Sequence, residues 1–441
     1  MISKPAPERP DRLSGFSLPE SLREFSVEAL TQLRDNSFDG VGISRETYGP
    51  GETAAMERVE AYARQEDLLV EWDAARNLIV RLPGTDGSLA PVATGSHLDS
   101  VPQGGNYDGA AGVIAGLAVL IAAKHQGPPR RSMEVYALRG EESAWFGGPC
   151  YFGSRALFGQ LTEQDFGTVH RDGKRTLENC MQAAGADIAR LRSGAPLVEP
   201  SRFACWLELH IEQGPVLVTR DKPVGVVTGI RGNHRHRRVT CRGEAAHSGA
   251  VPRWLRKDAV LAMAELMVRI DEHWRVLLEW GEDLVVTAGI VETNPEEHAV
   301  SRVPGEVSFA LEYRSQDIET LKSFEALIQS ECDQVGAKRG VRFDLGTPSL
   351  TPPARMASDM VALIEAVCAR RQVPYEIMAS GAGHDSSVFA NAGVPSGMIF
   401  VRNDHGSHNP HEAMAYPDFF LATEILGSAM LTAANRESED C

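Results

Sequence analysis

The sequence predicts an α/β fold in which a sheet-centred domain is interrupted by a smaller α+β block, and three observations carry that expectation. Apolar runs at residues 91–96 and 133–138, with a helical pattern between them, have the β-α-β rhythm of interior parallel strands. From about 232 to 350 the pattern changes to strand, helix, two strands, helix, strand, the order of a small antiparallel sheet with helices on one face. Finally, 441 residues are more than one hydrophobic core usually serves.

Taken in order, residues 91–96 read as the first interior strand. The uncharged run 109–123 reads as a buried helix whose small residues allow close packing on a sheet, and it is shorter than the ~18 residues of a membrane span. Residues 133–138, 206–211 and 397–401 read as further strands of the same sheet, with a helix near 358–371. Inside the block, strands are expected at 237–242, 284–292, 306–314 and 341–345, and helices at 257–281 and 317–336. The expected organisation is a first domain from 1–231 and 351–441, with 232–350 inserted into it. The tail 436–441 is polar and expected to fray, and no repeat or low-complexity tract is present.

Composition excludes several classes. With 43 % hydrophobic and 24 % charged residues, the chain is neither disordered nor collagen-like. A net charge of −16 argues against nucleic acid or anionic lipid as a partner. The one basic cluster, Arg235-His236-Arg237-Arg238, reads as an exposed strand face. Seven scattered cysteines without a C-x-x-C pair fit free thiols in a reducing compartment, and the N-terminus lacks the apolar core of a signal peptide or anchor. A cytoplasmic protein is expected.

The chemistry is carried by histidines and acids at strand ends. His97 closes the first strand, with Asp99 two residues on; Asp108 precedes the buried helix; Glu141 and Glu142 follow the strand ending at 138; His210 lies in its strand, and His408 follows the last one. Open α/β sheets gather ligand groups at the carboxyl ends of their strands. Imidazoles and carboxylates there suit a pair of divalent cations, with one carboxylate bridging them and an off-metal neighbour acting as general base. Any one of these histidines alone reads as an ordinary hydrogen-bonded residue, and an acidic pair as a solvated loop. Spacing alone reaches a candidate dinuclear metallohydrolase and no further.

The segments GSHLDSVPQGGNYDG (95–109), LHIEQGPV (209–216), SGAGHD (380–385) and SHNPHE (407–412) resemble the signatures of the amidase, hydantoinase/carbamoylase family. That family groups N-carbamoyl-L-amino acid hydrolases, β-ureidopropionases and allantoate amidohydrolases within the dinuclear zinc exopeptidase and aminoacylase superfamily. The similarity runs from about residue 20 to 425 in the family's motif order. It implies a zinc-exopeptidase-like mixed-sheet catalytic domain with an inserted βαββαβ lid and dimerisation domain. It also implies two divalent metal ions, zinc first and manganese, cobalt or nickel as alternatives. His97, Asp108, Glu142, His210 and His408 would be the ligands, Asp108 bridging. Glu141 would be the general base toward the metal-bridging water, and Asp99 would steer the His97 ring. His247, in EAAHSG (244–249), would reach the partner subunit's site in a homodimer and stabilise the oxyanion; without the motif it reads as a histidine at a strand end. Arg314 would clamp a substrate carboxylate with its fork of donors. Gln213, Gly381 and His384 would line the pocket.

The substrate-facing set departs from the family pattern. Trp145 stands where an arginine is usual, Ser301 where an asparagine helps hold the carboxylate, and Glu312 where an aspartate is usual. Hydrolysis of a C–N bond in an N-carbamoyl or related N-substituted amino acid is expected, with a preferred substrate unlike the commonest ones. An N-acyl amino acid hydrolase or dipeptidase on the same metals is the rival, and a catalytically dead binding or scaffold relative is a remote third.

Overall fold

A computed structural model describes residues 15–436. The sequence-based expectations for the N-terminal segment and, beyond Arg436, for the tail lie outside the described residues. Among the described residues two compact units are formed, one from 15–228 with 356–436, the other from Gly229–Arg355. Among the described residues no helix is long and apolar enough to cross a membrane, and the six described cysteines are free thiols.

The first unit is built on a mixed sheet. Its strands run in the order Leu69–Trp72, Leu78–Leu82, Met133–Leu138, Val92–His97, Cys205–Ile211, Ser396–Val401 and Val224–Ile230. The four from Met133–Leu138 to Ser396–Val401 are mutually parallel, and the outer pairings are antiparallel. Every residue of those four strands is buried, as expected of a sheet covered on both faces. One face packs under the helix Ala110–Gln126, buried all round from Ala110 to Ala123, and under Tyr416–Asn435. Gly112 permits the close approach, since a Cβ there would lie 2.1 Å from the Leu209 carbonyl oxygen. The other face carries Tyr136, Phe203, Trp206 and Phe389.

A buried ion pair holds the chain just after the Met133–Leu138 strand. Arg139 Nη1 lies 2.7 Å from Glu52 Oε2, both side chains being inaccessible to solvent, while Glu52 Oε1 accepts the Gly140 N–H at 2.9 Å. Removing one partner of such a pair strands the other charge. Glu52→Ala is therefore expected to lower stability by about 3–5 kcal/mol, read as a lower urea midpoint.

In the second unit the strands Arg342–Asp344, Gly232–Arg242, Glu306–Ser315 and Val285–Glu292 form an antiparallel sheet in that order. The helices Ala259–Glu279 and Ile318–Arg339 close a core of Leu266, Ile270, Phe309, Leu311, Phe324 and Ile328. The exposed basic face expected at 235–238 is corrected here. Only Arg237 and Arg238 are exposed; strand alternation turns His236 inward onto the Leu345 carbonyl (2.9 Å), and Arg235 pairs with Glu312 at 2.6 Å.

Candidate metal centre and active site

The carboxyl ends of the parallel strands converge on one cluster. His97 is the last residue of Val92–His97, His210 is the next-to-last of Cys205–Ile211, Glu141 and Glu142 follow Met133–Leu138, and His408 follows Ser396–Val401. Asp108 is placed by the turn into the buried helix. That turn needs glycine at 109, where φ is +68° and a Cβ would lie 2.6 Å from the His97 ring. Gln213 and His408 also hold left-handed backbone, at φ 63° and 59°, a conformation that costs energy in non-glycine residues and collects at functional sites.

Asp108 is the centre of the cluster. Its Oδ1 lies 3.4 Å from His97 Nε2 and 3.2 Å from His210 Nε2; its Oδ2 lies 3.5 Å from His408 Nε2, which is 3.4 Å from Glu142 Oε1. Two sets of ligand atoms within 4.8 Å of one another result, His97–Asp108–His210 and Asp108–Glu142–His408, with Asp108 in both. Glu141 Oε2 stands 3.9 Å from His97 Nε2 and belongs to neither set. All of these side chains are buried except His408, about half exposed, so the cluster opens to solvent on that side.

Supporting contacts fix the orientation of the ligands. His97 Nδ1 faces the Asp99 carbonyl oxygen at 3.1 Å, and His210 Nδ1 faces the Ile211 carbonyl oxygen at 2.9 Å. Nδ1–H donation to those carbonyls turns each Nε2 toward Asp108, and His210 Nε2 also accepts the Gly109 N–H at 3.1 Å. The Asp99 carboxylate lies 3.2 Å from His97 Nδ1 and accepts the backbone N–H groups of Glu141 and Glu142, each at 3.1 Å. One aspartate thus ties the first histidine to the acidic pair.

The donor set fits divalent cations. Glu142 Oε1 is buried and accepts no hydrogen bond among the described residues, although His408 Nε2 lies 3.4 Å away. The carboxylates also demand positive charge: contacts with Asp108 and Glu142 push His408 up to about 11, and His97, despite a burial that opposes protonation, is held well above the usual histidine range by Asp108 and Asp99. Burial pushes the Glu141 carboxyl well above its ordinary range; His97 opposes the shift, and Glu142 and Asp385 add to it. A third grouping, Glu208–His210–His384, shares His210 with the first. Its acid is already satisfied by Ser96 and Ser386, and His384 Nε2 lies 2.9 Å from Ser380 Oγ.

Residues 93–432 match the peptidase family M20/M25/M40. This chain belongs to that family. An allantoate amidohydrolase of Escherichia coli (strain K12) is 32 % identical over 387 residues, covering 87 % of this chain and 91 % of that protein. An N-carbamoyl-L-amino-acid amidohydrolase of Paenarthrobacter aurescens is 33 % identical over 413 residues, covering 93 % and 98 %. The crystal structure of an amidase of the hydantoinase/carbamoylase family from Burkholderia multivorans superposes with a TM-score of 0.83 at 27 % identity, covering 94 % of this chain and 98 % of that one. The resemblance read from the four motifs holds.

The remaining expected residues of this M20 chain fall in two places. In the first unit, Gln213 Nε2 donates to Asp108 Oδ2 at 2.7 Å, and His384 packs edge-on against His210 with ring centroids 4.4 Å apart. Gly381 lies three residues before His384, exposed. Trp145 donates its indole N–H to the Ser100 carbonyl at 2.7 Å and stacks on His170, so the residue that replaces the usual arginine braces the turn after Asp99. In the second unit, His247 is exposed and its Nδ1 accepts the N–H groups of Gly249 and Ala250 at 3.1 and 3.2 Å. Ser301 is beside it, its carbonyl accepting the Ser248 N–H at 2.8 Å, and Arg314 Nη2 pairs with Glu312 at 3.0 Å. Sequence reasoning missed two residues at the cluster, Ser407 and Glu412, both within hydrogen-bond reach of Asp108. Their only signal was a place in the same short motif as His408.

Proposed function

We propose that this chain is a dinuclear metal-dependent amidohydrolase that cleaves the amide or ureido C–N bond of N-carbamoyl or related N-substituted amino acids. The observation that carries the reading is the sharing of Asp108 by two ligand sets, with a buried glutamate outside both. The named activities of the relatives from E. coli and P. aurescens support the substrate class.

His97, Asp108 and His210 would hold one divalent cation, and Asp108, Glu142 and His408 the other, with zinc the first choice and manganese, cobalt or nickel able to use the same donors. Such a pair, when bound, lowers the pKa of a water molecule and polarises a carbonyl oxygen. Glu141 takes the proton of the attacking water. Oxygen then adds to the scissile carbonyl carbon, the C–N bond breaks, and Glu141 returns the proton to the departing nitrogen. An N-carbamoyl substrate gives the free amino acid and carbamic acid, which decays to carbon dioxide and ammonia.

His247, accepting two N–H groups at Nδ1, carries its proton at Nε2 and can donate it to the oxyanion. In this reading it acts across a homodimer, in the partner's site. The Arg314 fork receives the substrate carboxylate. The protein works in the cytoplasm. His247→Ala is expected to cut kcat by about 10²–10³-fold while the metal content stays at the wild-type level.

A substrate panel tests the substrate class. N-carbamoyl amino acids should release ammonia, whereas N-acyl amino acids and dipeptides would release only their two acids or amino acids. Turnover of N-acyl compounds or dipeptides with inert carbamoyl compounds would favour the second reading, a peptidase or aminoacylase, which the family's peptidase members keep open.

A further inference from the structure

Resting on the metal-centre reading above, we propose that Glu412 is a positioning residue that frees the shared ligand Asp108 for cation binding by drawing the Ser407 proton away from it. Glu412 is 8 % exposed and lies against the Asp108 turn. Its Oε1 accepts the backbone N–H of Tyr107 at 2.8 Å and of Asp108 at 3.3 Å. Gly105 makes the room, since a Cβ there would lie 2.1 Å from Glu412 Cδ. The other carboxylate oxygen, Oε2, is 2.6 Å from Ser407 Oγ, and that same hydroxyl is within hydrogen-bond reach of Asp108 Oδ2.

A serine hydroxyl has one proton to donate, so Ser407 serves one of the two carboxylates at a time. Asp108 Oδ2 is the oxygen that faces His408 and belongs with Glu142 and His408 in the second ligand set. It already accepts the Gln213 amide at 2.7 Å. A lone pair committed to Ser407 as well is lost to a cation, and Glu412 provides the alternative acceptor. Ser407 and Glu412 lie on the same short segment as His408, so the proton is exchanged between the ligand Asp108 and the non-ligand Glu412 beside another member of the second set. Partners that orient ligating carboxylates are commonly worth about 10–100-fold in metal affinity.

The test is a Zn²⁺ titration of the full chain in competition with a chromophoric chelator, with near-ultraviolet circular dichroism to establish folding. Glu412→Gln keeps the size of the side chain and an oxygen for the Tyr107 and Asp108 amides. Its new NH₂ donates to Ser407 Oγ, which commits the Ser407 proton to Asp108 Oδ2. Wild type is expected to bind two Zn²⁺, and E412Q to bind at least one of them about 10–100-fold more weakly. Ser407→Ala, alone or combined with E412Q, is expected to bind as wild type does. E412Q that binds both ions like wild type overturns the proposal, as does weakened binding by Ser407→Ala, which decides the matter alone if E412Q does not fold. Wild type that binds no Zn²⁺ overturns the metal-centre reading instead.

Discussion

Glu141→Gln is expected to keep both metal ions and lose turnover by about 10²–10⁴-fold, the range that general acid–base catalysis supplies. Glu141 is outside both ligand sets, so the amide should not disturb the metals. On the proposed reading it removes the capture and return of a proton by a buried carboxylate that stands 3.9 Å from His97 Nε2. Metal content and the rate of ammonia release, measured on the same preparation, check the two halves separately. Retained turnover would refute the role of base, and loss of an ion would make Glu141 a ligand.

Asp108→Ala is expected to remove both ions at once, whereas Glu142→Ala removes one. Asp108 is the only residue common to the two sets, and its carboxyl is held well below the ordinary aspartate range; burial opposes this, and His210, His408 and His97 outweigh it. Affinity should therefore fall at both sites by more than the 10–100-fold typical of losing a supporting contact. Elemental analysis after dialysis distinguishes the variants: no ion per chain in the first and one in the second. An Asp108→Ala protein that keeps one tightly bound ion would mean that the sets are independent.

The strands that carry the site were legible because they are buried on both faces and so read as mostly apolar runs, broken by a few polar residues such as Glu134 and Glu208. Residues 133–138 have in the structure the bounds the sequence predicts, His97 directly follows the strand expected at 91–96, and His210 is a polar residue inside the one expected at 206–211. The helix after Asp108 was legible for the same reason, being uncharged from 109 to 123. The flanking strand Leu69–Trp72 was not: it is four residues long and half-exposed, with too little alternation to separate it from a loop. Ligand sharing was invisible too, because nothing in the spacing tells Oδ1 of Asp108, facing two histidines, from Oδ2, facing a third. Glu412 reaches the Tyr107 and Asp108 amides across some three hundred residues of chain, a contact made only by the fold. The sequence shows only that Trp145 stands where an arginine is usual in the family it resembles, and not what the indole touches. A half-buried indole N–H needs an acceptor, and the one it finds is the Ser100 carbonyl.

The most direct test is to strip the chain of metal and add Zn²⁺ or Mn²⁺ back in steps while following ammonia release from N-carbamoyl amino acids. Stripped protein should be silent, and activity should reach its plateau at two equivalents per chain. A plateau at one equivalent, or full ammonia release from the stripped protein, would contradict a catalytic centre built on two ions sharing Asp108.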